Sequence, residues 1–257
     1  MLAAQRKARI LEEVGQKGAV RISEIADALK VSEVTIRRDV EALAAQGLVN
    51  KVHGGVTANS LSSTVEPPFA TNSMREQNAK NAIAAEALKL VKPGMAVALM
   101  GGSSVYALAQ KLREVPHLTI VTNSVPISDL YAQEQRGDQT VVLTGGFRTP
   151  TDSLVGKITS EVFSRFNLDL VFMGTFGMHG DFGFSSPNLM EAETNRDVIQ
   201  RAAQFVVLAD HTKWGGRGFT SFASLEDADV VITTDGISPQ ALKTLRSRVK
   251  DVRVASL

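Results

Sequence analysis

Two groups of residues in this chain have the types and spacing to do chemistry. The first is Thr35, Arg37 and Arg38, with Ser32 and Val34 just ahead and Lys51, His53 and Gly54 just behind. Arginine presents donors in a planar fork that matches a guanine edge or a phosphate, and lysine brings a point charge. A threonine hydroxyl and a small apolar group such as Val34 suit base edges. The second group is a set of small and polar stretches: Gly101-Gly102-Ser103-Ser104, Asn123, Gly145-Gly146, Thr175 and Gly177, Glu191, and Asp210 with Lys213. Glycines let backbone N–H groups approach an anion, a lysine adds charge, and a carboxylate accepts from sugar hydroxyls. The first chemistry is the reading of duplex DNA. The second is capture of a small, anionic, polyhydroxylated ligand, with sugar phosphates the leading class.

The elements that must position the first group follow from periodicity. Ser32 is placed to cap a helix, and Ile36, Val40 and Leu43 recur behind it at spacings of four and three, so they share one buried face. The opposite side presents Val34, Arg38 and Glu41, with Thr35 and Arg37 flanking it. Gly47 ends that helix, and Leu48, Val49, Lys51, Val52 and His53 read as a hairpin strand closed by Gly54-Gly55. Upstream, Ile22 to Leu29 is a supporting helix with Ser23 as its cap, Lys30 to Ser32 is the tight connection, and residues 3–14 are a first helix. A generic helical hairpin with a solvated Arg-Arg pair would share the apolar spacing. The order of elements, three helices and then a basic hairpin, is what a winged helix adds.

The second group needs a different scaffold. Short apolar strands at 95–100, 118–122, 139–144, 169–173, 204–209 and 229–233 alternate with helical patterns at 104–113, 125–133, 157–165, 191–202 and 238–248. Such alternation implies an α/β domain with a largely parallel sheet covered on both faces, whose ligands bind beyond the carboxyl ends of the strands. Taken singly, a Gly-Gly after a strand is often only a tight turn and a loop lysine is usually solvated. Four such loops at one end of one sheet point to a ligand. Between the two regions, residues 57–68 read as a linker ending in Pro67-Pro68, and Phe69 to Val91 as one long helix. The domains are then 1–56, a winged helix-turn-helix, and 69–257, a sensor.

The segment Val31-Ser32-x-x-Thr35-Ile36-Arg37-Arg38-Asp39-Val40-x-x-Leu43-x-x-x-Gly47-Leu48, followed by His53-Gly54-Gly55, resembles the N-terminal signature of DeoR-type bacterial transcriptional regulators. The resemblance continues through Thr122-Asn123-Ser124, Thr144-Gly145-Gly146, Asp169-x-x-Phe172-x-Gly174, Gly177, Glu191 and Ala209-Asp210-x-x-Lys213, and covers nearly the whole chain. It implies a winged helix joined to a sensor domain similar in fold to ribose-5-phosphate isomerase, responding to phosphorylated sugars. It also implies operator DNA as partner, most often for repression of a carbohydrate operon. One loop departs from the pattern: the family typically has Asp-x-Gly-Thr-Thr where this chain has Leu99-Met100-Gly101-Gly102-Ser103-Ser104. Two hydroxyls remain and the acid is gone, which bears on which sugar is bound.

The alternative is an active sugar-phosphate isomerase with an accessory DNA-binding domain. Isomerisation needs a general base and a stabilised enediolate. The isomerases carry an Asp-Gly-Ala-Asp loop where this chain has Gly174-Thr175-Phe176-Gly177-Met178-His179, without a carboxylate, although Asp181 and Glu191 are available as bases. His179, Trp214 and Arg217 either face a ligand or only pack a surface loop. The four histidines are scattered without metal-ligand spacing, so no metal and no cofactor are expected.

Composition is that of an ordinary globular chain: 257 residues, 44% hydrophobic, 21% charged, and no cysteine for disulfides or thiolate metal sites. The longest apolar run, Met95 to Met100, is far short of a membrane span, and no apolar segment follows Arg6, Lys7 and Arg9, so neither a membrane partner nor a signal peptide is expected and the cytoplasm is the expected location. Net charge is +1; residues 1–56 hold nine Lys/Arg against seven Asp/Glu. Phosphate neutralisation dominates non-specific DNA affinity, so this thin excess predicts reliance on a homo-oligomer, a dimer or tetramer.

Overall fold

The computed structural model describes residues 3–17, 19–45, 49–52, 54–58, 64, 66–133 and 136–257. The chain divides into two compact units, Met1–Glu76 and Gln77–Leu257.

The first unit runs α1 (Ala3–Lys17), β1 (Ala19–Arg21), α2 (Ile22–Leu29), α3 (Glu33–Ala45), β2 (Val49–Val52), β3 (Gly55–Ala58) and α4 (Phe69–Met74). Its core is built from one apolar stripe on each helix: Ile10, Leu11 and Val14 of α1, Ile22 and Ile25 of α2, and Ile36, Val40 and Leu43 of α3, closed by Val20, Val49 and Val56. β3 pairs antiparallel with both β2 and β1, so the hairpin is pinned to the helices by a third strand. The Ser32 cap forms as expected, its Oγ accepting from the Thr35 N–H at 3.3 Å. Ser23 does not cap α2: the helix already starts at Ile22, and Arg21 holds the cap position without a side-chain bond. Lys30, left-handed at φ 54°, turns the chain out of α2, with the Val31 N–H bonded to Ala26 O. Gly47, Leu48, His53 and residues 59–63 and 65 of the expected linker lie outside the described residues.

The expected single helix from Phe69 to Val91 is two. α4 ends at Met74, Arg75 is extended, Glu76 is left-handed at φ 49°, and α5 begins at Gln77. The apolar periodicity behind the expectation, Ile83, Ala84, Ala87 and Leu88, lies wholly in α5, whereas α4 buries no residue. Nothing in the pattern carried the helix through Glu76.

The second unit runs α5 (Gln77–Leu88), β4 (Ala96–Leu99), α6 (Ser103–Leu112), β5 (Thr119–Thr122), α7 (Val125–Gln133), β6 (Thr140–Leu143), β7 (Phe147–Arg148), β8 (Leu154–Val155), α8 (Lys157–Phe163), β9 (Leu168–Met173), β10 (Gly177–His179), β11 (Gly183–Ser186), α9 (Leu189–Ile199), β12 (Ala202–Leu208), β13 (Thr220–Ala223), β14 (Val230–Thr234), α10 (Pro239–Arg248) and β15 (Asp251–Ala255). Seven strands form one sheet in the order β15-β14-β12-β9-β4-β5-β6, every pair parallel. Alternate residues feed two cores. Val97 and Leu99 pack with Ile83, Leu108 and Ile127 of α5, α6 and α7 on one face, while Ala98 and Met100 face the core of Phe163, Val198 and Leu245 from α8, α9 and α10. A small antiparallel sheet, β10-β11-β13, and a β7-β8 ribbon complete the unit.

Candidate functional site

The exposed side of α3 carries the first group. Val34 is 62% exposed, Arg37 and Arg38 are exposed, and Thr35 is half-buried with its hydroxyl 2.9 Å from Ser32 Oγ. Arg38 makes no ion pair among the described residues, whereas Arg37 Nη2 pairs with Glu33 Oε2 at 3.1 Å and Lys51 Nζ with Glu41 Oε1 at 2.7 Å. Lys51 holds the Glu41 carboxyl below its usual range. Both pairs are exposed and cheap to exchange for a phosphate. Gly54 turns the hairpin at φ 74° with open space around it. A residue not singled out from the sequence orders this helix: Asp39 on α3 is buried and receives both Nε and Nη2 of Arg6 from α1. That pair ties α3 to α1, so Arg6 is structural.

Because all seven strands are parallel, the loops after β4, β5, β6, β9 and β12 leave the sheet at the same end. After β4, the Gly101 N–H donates to Asn123 Oδ1 at 2.8 Å, Gly102 caps α6 at φ 141°, and Ser103 and Ser104 open the helix, whose first N–H groups have no partner within it. After β12 stands Asp210, 1% exposed, accepting from the Thr212 N–H at 2.9 Å and from the Thr212 hydroxyl. Burial pushes its carboxyl up, but Lys213, the Thr212 bonds and the charge of Lys80 together hold it below the usual carboxylate range. Lys80, buried on α5, is the site residue that sequence reasoning missed. Its burial and its effect on Asp210 are tertiary facts.

Other members of the second group have different surroundings. The Thr175 hydroxyl donates to Gly177 O at 2.7 Å and accepts from the Ser185 N–H at 3.2 Å. A Cβ on Gly177 would lie 2.3 Å from the Gly216 backbone, so this glycine lets two loops cross. Gly145 O accepts from the Thr159 hydroxyl, and a Cβ on Gly146 would lie 2.7 Å from Val155 O. Glu191, on α9, accepts from the Ser186 hydroxyl at 2.6 Å while its own N–H meets the cap Asn188. Burial raises its carboxyl, partly offset by Ser186. His179 Nδ1 accepts from the Asp181 N–H, Arg217 stacks over Phe182 at 3.7 Å, and Trp214 packs on the core, so these three are engaged in local packing. Among the described residues no group of three or more His, Asp or Glu could hold a metal ion, and no helix is long and apolar enough to cross a membrane.

Residues 6–62 match the model of the DeoR-like helix-turn-helix domain, and residues 75–235 that of the DeoR C terminal sensor domain. The chain belongs to the DeoR family. Its DeoR-family relatives include the HTH-type transcriptional regulator GlpR of Haloferax volcanii, 33% identical over 96% of each chain. The lactose phosphotransferase system repressor of Streptococcus mutans is 30% identical over 91% of this chain and 92% of its own. An uncharacterized HTH-type regulator of Bacillus subtilis, YulB, is 30% identical over 100% and 98%. Like the other DeoR-family proteins, this one is a DNA-binding transcriptional regulator, and its relatives are named as regulators rather than enzymes. Among solved structures, ribose 5-phosphate isomerase A of Methanocaldococcus jannaschii aligns over 54% of each chain at 20% identity and a TM-score of 0.39, too distant a likeness to bear on activity.

Proposed function

We propose that this DeoR-family protein is a repressor of a carbohydrate-metabolism operon, released or engaged by a phosphorylated sugar. The observation that carries the ligand reading is the convergence at one end of the parallel sheet. The Gly101-Gly102-Ser103-Ser104 turn offers helix N–H groups to a phosphoryl oxygen, while the buried Asp210, balanced by Lys213 and Lys80, accepts from sugar hydroxyls. Asn123 orders the glycine turn from β5. Gly145, Gly146, Thr175 and Gly177 contribute by shaping the loops, and Glu191 lies in the same unit as a further polar contact.

On DNA, α3 enters the major groove, with Thr35 and Arg38 on bases and Arg37 and Lys51 on phosphates, supported by Ser32, Val34, His53 and Gly54. The active species is a homo-oligomer in the cytoplasm presenting recognition helices to half-sites roughly 34 Å apart or a multiple of that. The names of the lactose and aga operon repressors support the carbohydrate assignment.

A thermal-shift screen of the full chain against sugar phosphates tests this reading, since a ligand of the folded state stabilises it by RT ln(1 + [L]/Kd). At least one phosphorylated sugar is expected to raise Tm while its unphosphorylated parent does not. No shift with any phosphorylated sugar would remove the effector class. The bound sugar is expected to show no turnover; measurable isomerisation would favour the enzyme reading, with Glu191, whose buried carboxyl holds its proton more tightly than usual, as the base to examine.

A further inference from the structure

Ser153 lies outside both groups of candidate residues, yet its surroundings single it out. The segment Phe147–Val155, which holds the β7-β8 ribbon, lies beside the end of β5. Asn123 O accepts from the Leu154 N–H at 2.7 Å, Asn123 Nδ2 donates to Leu154 O at 2.8 Å, and Ser124 bridges to Ser153. The same Asn123 side chain takes the Gly101 N–H, so one residue couples this segment to the glycine turn. The result places Ser153 Oγ against Gly101: a Cβ built there would fall 1.9 Å from it. Ser153 is 1% exposed, and its hydroxyl has no hydrogen-bond partner among the described residues.

Native interiors pair their polar groups, and an exception calls for an explanation. Nearby hydroxyls show how readily this segment satisfies its own: Thr149 and Thr151 share a bond at 2.8 Å, and the Ser153 N–H donates to Thr149 Oγ1. Only the Ser153 hydroxyl in that group is left over, and it is the one aimed at the turn that opens α6. Gly101 must lack a side chain for this approach, so the first glycine of the pair serves Ser153 as well as the backbone turn.

We infer that Ser153 is an effector-binding residue, its hydroxyl donating to the phosphoryl group held by the Gly101–Ser104 turn. This rests on the anionic-ligand reading above. The donor would add a contact from the Phe147–Val155 segment beside Gly101, which makes that segment part of the ligand's cage. A mono-anionic sugar acid of the same size offers fewer oxygens to so many donors, so the site favours a phosphate ester.

The test uses the full chain with inorganic phosphate, glucose 6-phosphate and fructose 1-phosphate as probes, titrated calorimetrically against wild type, Ser153→Ala and Lys213→Ala. Removing an unpaired buried hydroxyl leaves the unliganded Tm unchanged or higher, unlike removal of a structural hydrogen bond. Loss of a hydrogen bond to a charged group then weakens the best probe on the order of ten-fold. Ser153→Ala binding every probe as wild type does, while Lys213→Ala binds more weakly, would overturn the role of Ser153 and leave the anionic site standing. A lower unliganded Tm in Ser153→Ala with unchanged affinity would make Ser153 structural and overturn the inference as well. Wild type binding none of the probes would overturn both.

Discussion

At the residue scale, the two faces of the protein differ in how their charges are held. On α3, Arg37 and Lys51 rest in exposed ion pairs, while Arg38 projects without one. Arg38→Ala is therefore expected to cost about 1–3 kcal/mol in operator binding and to relax the preference for one base. Arg37→Ala should weaken all sequences alike, and band-shift titrations on operator and scrambled DNA separate the two; an Arg38→Ala variant with wild-type affinity removes the base-reading role. In the second unit the carboxylates titrate in opposite directions. Asp210 is held low, so its contribution to stability is complete above the unfolded value of about 3.9 and is lost only as pH falls through its lower folded value. Glu191 is held high, so its ionisation costs stability from about 4.3 upward until its folded value is passed. Asp210→Asn should then lower Tm by the same amount at pH 5.5 and 7.5. Glu191→Gln should raise Tm relative to wild type, by more at pH 7.5 than at pH 4.5. Melting curves at those pH values decide it, and a Glu191→Gln gain that shrinks with rising pH would contradict the burial argument.

At the element scale, the clearest test lies in the Gly145-Gly146 pair. Gly146 has φ 140°, and a Cβ there would meet Val155 O at 2.7 Å and Thr159 Oγ1 at 2.2 Å. A Cβ on Gly145 meets only the Cγ2 methyl of Ile158, an exposed side chain, at 3.0 Å. Gly146→Ala is expected to destabilise by roughly 1–3 kcal/mol in chemical denaturation, Gly145→Ala by well under half of that. Equal effects would mean that the pair is not divided as described. The two glycines look alike in sequence, because the difference depends on β8 and α8 passing overhead. The same distinction governs what else could be read. β4, β9 and β14 were legible through the short apolar runs Ala96–Leu99, Leu170–Met173 and Val230–Ile232, since a central parallel strand is buried on both faces. β15, with Asp251 and Arg253 on an edge strand, lacks that signature. β7, β8, β10, β11 and β13 span two to four residues and exist through their pairing, which no local pattern announces. In α3 the buried stripe of Ile36, Val40 and Leu43 was legible, whereas the burial of Asp39, which depends on Arg6 thirty-three residues away, was not.

At the scale of the whole molecule, the thin charge excess becomes a quantitative constraint. If Arg37 and Lys51 are the phosphate contacts, each subunit neutralises about two phosphates, and a dimer about four. Counterion release then gives a slope of log K against log salt of roughly −3.6 for the dimer and about half that for a single reading unit. The exposed pairs with Glu33 and Glu41 exchange at little cost and do not alter the count. Control requires more than two occupied sites: the effector must bind the DNA-competent and DNA-incompetent states with different affinity. If a sugar phosphate lowers operator affinity by some factor, the operator must lower sugar-phosphate affinity by the same factor. Five- to 150-fold, about 1–3 kcal/mol, is the usual span of such coupling. Titrating operator with and without saturating effector, and effector with and without operator, should return one factor in that range. Lys213→Ala should shift the effector curves while leaving the operator affinity of the unliganded protein at the wild-type value. A coupling factor of one would leave a DNA-binding unit and a ligand-binding unit on one chain with no switch between them. The salt slope should stay near its value when effector is present at constant ionic strength, because the phosphate contacts belong to α3 and the hairpin. A slope that collapses with effector bound would instead mean that the ligand separates the subunits, and the switch would then be assembly itself.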